Sequence, residues 1–281
     1  MVGTPKAVAI GRELRRAREN TGLSARALSL KMGLAAATVG RWESGTRTPR
    51  PVDVSAVLAV LGVDESEREE LVEMARDAGG RRWVATGLPE QARALTALLE
   101  SERDAVEIVS MSPLLIPGLL QTSDYARSII GAGGVPDNEV EMRVRVRLGR
   151  REILTRQDRP TELLAIIGEG ALRRLVGGPT VLSEQLHALR RDAALPNVHI
   201  HVVPFTAGWS PDLEGLFDVL IFNDARDPIV HTENRRSSLF FHEPEDVEAY
   251  RTAVDIVMDA ALSPEQSTGL ITKIINGMES P

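Results

Sequence analysis

Cysteine is absent from this chain of 281 residues. No disulfide and no thiolate metal site can form, and a reducing cytosol is the natural setting. No apolar run approaches the length of a membrane span. Met1 to Ile10 has no long apolar core, so no signal peptide is expected. The usual signatures of catalysis are missing as well. Gly168-Glu169-Gly170 is followed by Arg173 where a dinucleotide fingerprint needs its third glycine, and there is no phosphate loop. Ser210, Asp212 and His199 form a nucleophile set only on paper, because no G-x-S-x-G elbow accompanies them. His199 and His201 alternate on one strand pattern, with His231, His242 and Glu233 further on. Zinc needs three or four converging ligands, and this spacing does not establish them. The expectation is therefore no enzyme, no cofactor, no metal and no membrane.

What is present supports a folded chain of two domains. It is 43% hydrophobic and 26% charged, enough to bury a core and too apolar for disorder. The formal net charge is -7, but its distribution is uneven. Residues 1–50 hold ten cations (Lys6, Arg12, Arg15, Arg16, Arg18, Arg26, Lys31, Arg41, Arg47 and Arg50) against Glu13, Glu19 and Glu43. The head is thus near +7 and the remainder near -14. A basic head on an acidic body is the electrostatic pattern of a nucleic-acid binder.

The head reads as five helices. Helix one is predicted over about Val8 to Asn20, with Ile10, Leu14 and Ala17 on one stripe and Gly22 as a left-handed cap. Ser24 caps helix two, which ends at Gly33. Helix three is predicted from near Ala35 to Gly45. Leu28 and Met32 share one face, and Val39 and Trp42 another, which is a helix-turn-helix pattern. Thr46 to Pro51 reads as a stiff basic loop whose prolines forbid helix. Helix four is predicted from about Val52, and a fifth from near Asp64, with Asp64, Glu65 and Glu67 suiting its N-terminus.

Residues 7–78 resemble an Xre-type, phage-repressor-like helix-turn-helix domain, through the string L-R…R…GLS…L…K-x-G-L…T-V-x-R-W-E-S-G…P. The resemblance implies an ion pair between Arg18 and Glu43 that orients helix three. It implies DNA contacts from Ser24, Ala25, Arg26, Ala36, Ala37, Thr38 and Arg41. Alanine cannot hydrogen-bond a base edge, so Ala36 and Ala37 either pack on thymine methyls or simply form helix. Arg41 becomes the main base reader and Thr38 the other polar one. Arg47 and Arg50 are expected to clamp phosphates. So few readers imply two heads on a near-palindromic site.

Gly79-Gly80 marks a break, and Arg81, Arg82 and Trp83 begin a connection. Leu88 to Asp104 reads as one amphipathic helix, either a strut, a dimer seam, or a helix packed on its own domain. Strands are predicted at Ala105–Met111, Glu162–Ile167, Asn197–Pro204, Leu216–Phe222, Pro228–His231 and Ser238–Phe241. Helices are predicted at Thr122–Ile130, Asp137 to about Arg156, Gly170–Val176, Val181–Ala194, Pro244–Ala261 and Pro264–Asn276. Arg143, Arg147 and Arg150 form a stripe, either a solvated face or a site for an anion. The loop Ile116 to Thr122 sets an apolar turn beside Gln121. Gln121, Tyr125, Glu169, Arg173 and Trp209 are candidates to line a ligand or partner pocket, or else to pack the core.

Five strings from this region, IPGLLQTSDYAR, EGALRRLVGG, QL, VVPFTAG and ALSPEQS, resemble the C-terminal domain of a large actinomycete regulator family of the WhiJ type. The resemblance implies a sensing or partner-binding domain, in an antitoxin-like setting. The fold class expected is α+β/mixed. An all-α five-helix head (1–80) is followed by a linker and connecting helix (81–104). A larger α/β domain (105–281) then has a mixed sheet flanked by helices. The function expected is a cytoplasmic, nucleoid-associated transcriptional regulator, a homodimer on double-stranded DNA. Its body would answer to a small-molecule effector or a small partner protein. The alternatives are an antitoxin-like module that sequesters such a partner and autoregulates and, behind it, an enzyme in the C-terminal domain.

Overall fold

The computed structural model describes residues 4–76, 78, 82–85, 88–223, 226–235 and 237–279. In chain order the helices of the head are α1 (Pro5–Asn20), α2 (Ala25–Lys31), α3 (Thr38–Glu43), α4 (Pro51–Val60) and α5 (Glu65–Arg76). Then come β1 (Arg82–Ala85), α6 (Leu88–Asp104), β2 (Glu107–Ser112), α7 (Ser123–Ala132), α8 (Asp137–Gly149), α9 (Glu152–Thr155) and β3 (Glu162–Gly168). The chain continues with α10 (Glu169–Arg173), α11 (Pro179–Asp192), β4 (Val198–Val203), β5 (Phe217–Ile221), β6 (Ile229–Glu233), β7 (Ser238–Phe241), α12 (Pro244–Ala260) and α13 (Pro264–Glu279). Short 3-10 turns lie at Gly118–Leu120, Phe205–Ala207 and Pro211–Glu214. Two compact units result. The first is Met1–Ser101 with Asn223–Asp227 and Glu233–Glu243; the second is Glu102–Phe222, Pro228–Thr232 and Pro244–Pro281.

In the first unit each helix has a local cause. The Thr4 hydroxyl accepts from the Ala7 N–H, and Pro5 opens α1. Ser24 caps α2 in the same way. Asp64 Oδ1 accepts from the Ser66 and Glu67 N–H groups ahead of α5. Ile10, Leu14, Leu28, Val39, Trp42, Val54, Leu58 and Leu71 form the core. Pro51 does not exclude helix; it is the first residue of α4, where its missing N–H costs nothing. Helix α3 is shorter than the sequence suggests. It begins at Thr38, because Ala36 and Ala37 are spent in a turn closed by the Thr38 N–H on the Ala35 carbonyl at 2.8 Å. The break at Gly79-Gly80-Arg81 lies outside the described residues. Beyond it, Arg82–Ala85 is a strand rather than a plain connection. It pairs antiparallel with β7, and Trp83 stacks on Phe240 at 5.3 Å between ring centroids. Its partner is far along the chain, so no local pattern signals it. Helix α6 is ion-paired within this unit, Arg93 to Glu70 at 3.0 Å and Glu100 to Arg12 of α1.

The second unit holds a mixed sheet in the order β6–β5–β2–β3–β4. β2, β3 and β4 are mutually parallel, while β5 runs antiparallel to both β2 and β6. Phe217 of β5 meets Tyr250 of α12 edge to face at 4.8 Å, and α13 packs on α11 and β4. The long helix expected from Asp137 to Arg156 is broken after Gly149 into α8 and α9. The two arginines at the break face different partners: Arg150 clasps Glu102 (2.9 and 2.5 Å) and Arg151 reaches Asp192 at 2.9 Å. The arginine stripe is therefore split. Arg143 pairs with Glu139 on the outside, and Arg147 donates to Gln121 Oε1 at 3.0 Å.

Candidate nucleic-acid interface

The α2–α3 pair is held from within. Ser29, fully buried, accepts the Val39 N–H at 3.1 Å and donates to the Ala25 carbonyl at 2.9 Å. One hydroxyl thus locks the end of α2 to the start of α3. Arg18 of α1 meets Glu43 at the end of α3 by two parallel hydrogen bonds, Nε to Oε1 at 2.6 Å and Nη2 to Oε2 at 2.8 Å. Its third contact, Nη1 to the Leu23 carbonyl at 2.6 Å, adds the loop before α2. Both side chains are close to fully buried, so the pair joins three segments in a place where water cannot compete. Gly11 of α1 faces the carbonyls of Trp42 and Glu43, and a Cβ there would collide with the Trp42 oxygen. Neither Ser29 nor Gly11 stands out in the sequence, since the contacts that join them to α3 are ten or more residues away.

The outer side of this unit is cationic. Arg26, Lys31, Arg41 and Arg47 are exposed and have no ion pair among the described residues. Other arginines of the head are engaged: Arg12 with Glu100, Arg15 with Glu19, Arg16 with Glu67, Arg68 with Glu65 and Arg76 with Glu73. The loop after α3 folds back on it. The Arg41 carbonyl accepts from the Arg47 N–H at 3.1 Å and from the Thr46 hydroxyl at 3.2 Å, which brings the Arg41 and Arg47 backbones together.

The remaining candidates fall as follows. Ser24, Ala36 and Ala37 are exposed, with the Ser24 hydroxyl used as the cap of α2. Thr38, the first residue of α3, is buried, with 6% of its surface exposed. Arg50 is exposed, but its guanidinium spans both oxygens of Asp53 at 2.8 and 2.9 Å. That hydrogen bond, against a smaller opposing effect of burial, holds the Asp53 carboxyl below its ordinary range. Arg50 thus serves the N-terminus of α4 before any phosphate.

The candidates of the second unit are engaged in different ways. Tyr125 is fully buried and its hydroxyl accepts the Ile116 N–H at 3.3 Å. Gln121, also buried, donates to the Ile116 carbonyl at 2.8 Å. Both therefore brace the apolar loop from inside. Glu169 accepts from Arg173 and from the Phe205 N–H, at 2.8 and 2.9 Å, and so ties two loops. Trp209 stands in solvent, 71% exposed.

Across β2, β5 and β6, Ser110, Asp218 and His231 are direct cross-strand neighbours. The Ser110 hydroxyl donates to Asp218 at 2.6 Å, and His231 Nδ1 lies 3.9 Å from the other oxygen. Burial pushes the Asp218 carboxyl up, but His231 and Ser110 together hold it below the ordinary range. His201 Nδ1 donates to the Leu262 carbonyl (2.9 Å), and His199 lies 3.5 Å from Glu162. Among the described residues no group of three or more His, Asp or Glu side chains is arranged to hold a metal ion.

Family models match the two units separately. That of a helix-turn-helix domain matches residues 9–71, and that of a domain of unknown function, DUF5753, matches residues 95–273. No curated protein matches the chain.

Proposed function

The chain belongs to the DUF5753 family, and on that premise, with a helix-turn-helix domain at its head, we propose that it is a sequence-specific transcriptional regulator that binds operator DNA as a dimer in the cytoplasm. The observation that carries the reading is the set of unpaired cations. Arg26, Lys31, Arg41 and Arg47 all lie on α2, α3 and the loop behind them, while the arginines of α1 and α5 are taken up by carboxylates. Charge left free on one element is what phosphates attract. Arg41 projects from α3 and takes the role of base reader, a guanine being its best bidentate partner. Arg47, on the adjoining loop, takes a phosphate. Ala36 and Ala37 offer only methyl groups, so a single head discriminates weakly and a near-palindromic operator read by two heads supplies the rest.

The second unit acts as the regulatory body, answering to a small ligand or partner protein and not carrying out a reaction.

The test is selection of bound genomic fragments followed by quantitative binding. Arg41→Ala should relax base preference at one position per half-site, by about 1–3 kcal/mol of discrimination. Arg47→Ala should weaken all sequences alike and make the salt slope shallower by about one unit. Unchanged base preference in Arg41→Ala would remove it as a reader, and no enriched site at all would end the DNA reading.

A further inference from the structure

The connection from β4 to β5 has to travel. β4 is an outer strand of the parallel set, and β5 lies beyond β3 and β2, so residues 204–216 run across the carboxyl ends of both strands between them. This crossover is anchored on its inner side. The Phe205 N–H donates to Glu169, Ser210 and Asp212 are buried and hydrogen-bonded to each other, and Pro211 is buried with them. Beneath it the loops after β2 and β3 touch: a Cβ on Gly168 would lie 2.5 Å from the Pro113 carbonyl oxygen.

The outer side is apolar. Phe205 (68% exposed), Trp209 (71%), Leu213 (60%) and Leu216 (42%) are all exposed, and Leu114, beside the Pro113–Gly168 contact, is 65% exposed. Summed over these side chains, on the order of 700 Å2 of apolar surface stands in water, close to the ~800 Å2 one partner brings to a standard interface. The one exposed charge of the crossover is Glu214. Glu169 is neutralised by Arg173 and Asp212 is buried, so the surface makes no call for a partner of opposite charge.

We propose that this end of the sheet is the face on which a second copy of the chain docks, crossover against crossover about a two-fold axis. A nearly neutral apolar patch is complementary to itself, which an isologous interface requires. Its polar rim is supplied by Glu214. The inference rests on the DNA reading only for its purpose, since two heads are what a near-palindromic operator needs; the surface itself stands on exposure and topology.

Sedimentation and light scattering of the full chain over a range of concentrations test it. The wild type should reach about twice its 30.6 kDa. Trp209→Ser and Phe205→Ser should each raise the dissociation constant about thirty-fold or more. Both side chains are exposed in the single chain, so circular dichroism should not change. Because the chain has no cysteine, Trp209→Cys gives a clean probe: a short bis-maleimide should join two copies through it, while Ile256→Cys on α12, also exposed, should remain unjoined. A wild type that stays monomeric at every concentration, or serine variants that dimerise as before, would overturn the proposal. Loss of base preference in Arg41→Ala with an unchanged mass separates the two questions: the DNA reading can fail while the dimer stands, and the reverse.

Discussion

Without the Arg18 guanidinium, the Glu43 carboxylate would sit almost out of reach of water with nothing to neutralise it. Arg18→Ala should therefore cost about 3–5 kcal/mol of unfolding free energy in the head, far more than a surface pair of the same geometry. Thermal or urea unfolding of the single variants and of the double variant with Glu43→Ala measures it. If the double variant is no less stable than either single one, the loss is that of an orphaned charge; simple addition of the two losses would contradict the coupling. This pair was legible in the sequence through the resemblance that names it. The burial of Thr38 was not, because a side chain at the first turn of a helix is directed by the turn before it, and α3 begins at Thr38, about three residues later than the sequence pattern implies. Gln121 and Tyr125 were legible as a pair beside the Ile116 loop, but not as inward braces, since burial depends on what the rest of the unit lays over them.

At the level of elements, close approach decides more than propensity. Gly11→Ala pushes a methyl group into the Trp42 carbonyl where α1 passes the end of α3. It should destabilise the head by about 1–3 kcal/mol, despite the better helix propensity of alanine. Gly40→Ala, whose Cβ would meet nothing within 4 Å, should instead be neutral or stabilising by up to about 1 kcal/mol. Differential scanning of the two variants gives opposite signs if the packing argument holds, and equal shifts would refute it. The helices of the head and most strands were legible from caps and periodicity. The break between α8 and α9 and the strand β1 were not. The first is sealed by Arg150 on Glu102 and Arg151 on Asp192, more than forty residues apart in each case, and the second by pairing with β7.

For the whole molecule the balance of charge is the governing quantity. With four unpaired cations per head, the logarithm of DNA affinity should fall with the logarithm of salt at a slope of about -3 to -4 per head and roughly twice that for a dimer. Titrations at several salt concentrations check this, and a slope near zero would mean that the cations of α2 and α3 do not meet phosphates. By itself the sequence determined the absence of thiol chemistry, the basic head, the helix-turn-helix pattern and the alternation of helices and strands behind it. These follow from composition and from spacing over a turn or a strand, where neighbours in the chain are neighbours in space. Only the tertiary structure decided which arginines remain free, that the loop after α3 folds back on the Arg41 backbone, and that one crossover leaves its apolar side chains exposed at the sheet end. Those depend on partners distant in sequence: a guanidinium is free or neutralised according to which carboxylate the fold sets against it, and a phenyl ring is core or surface according to which strand order the connection must cross.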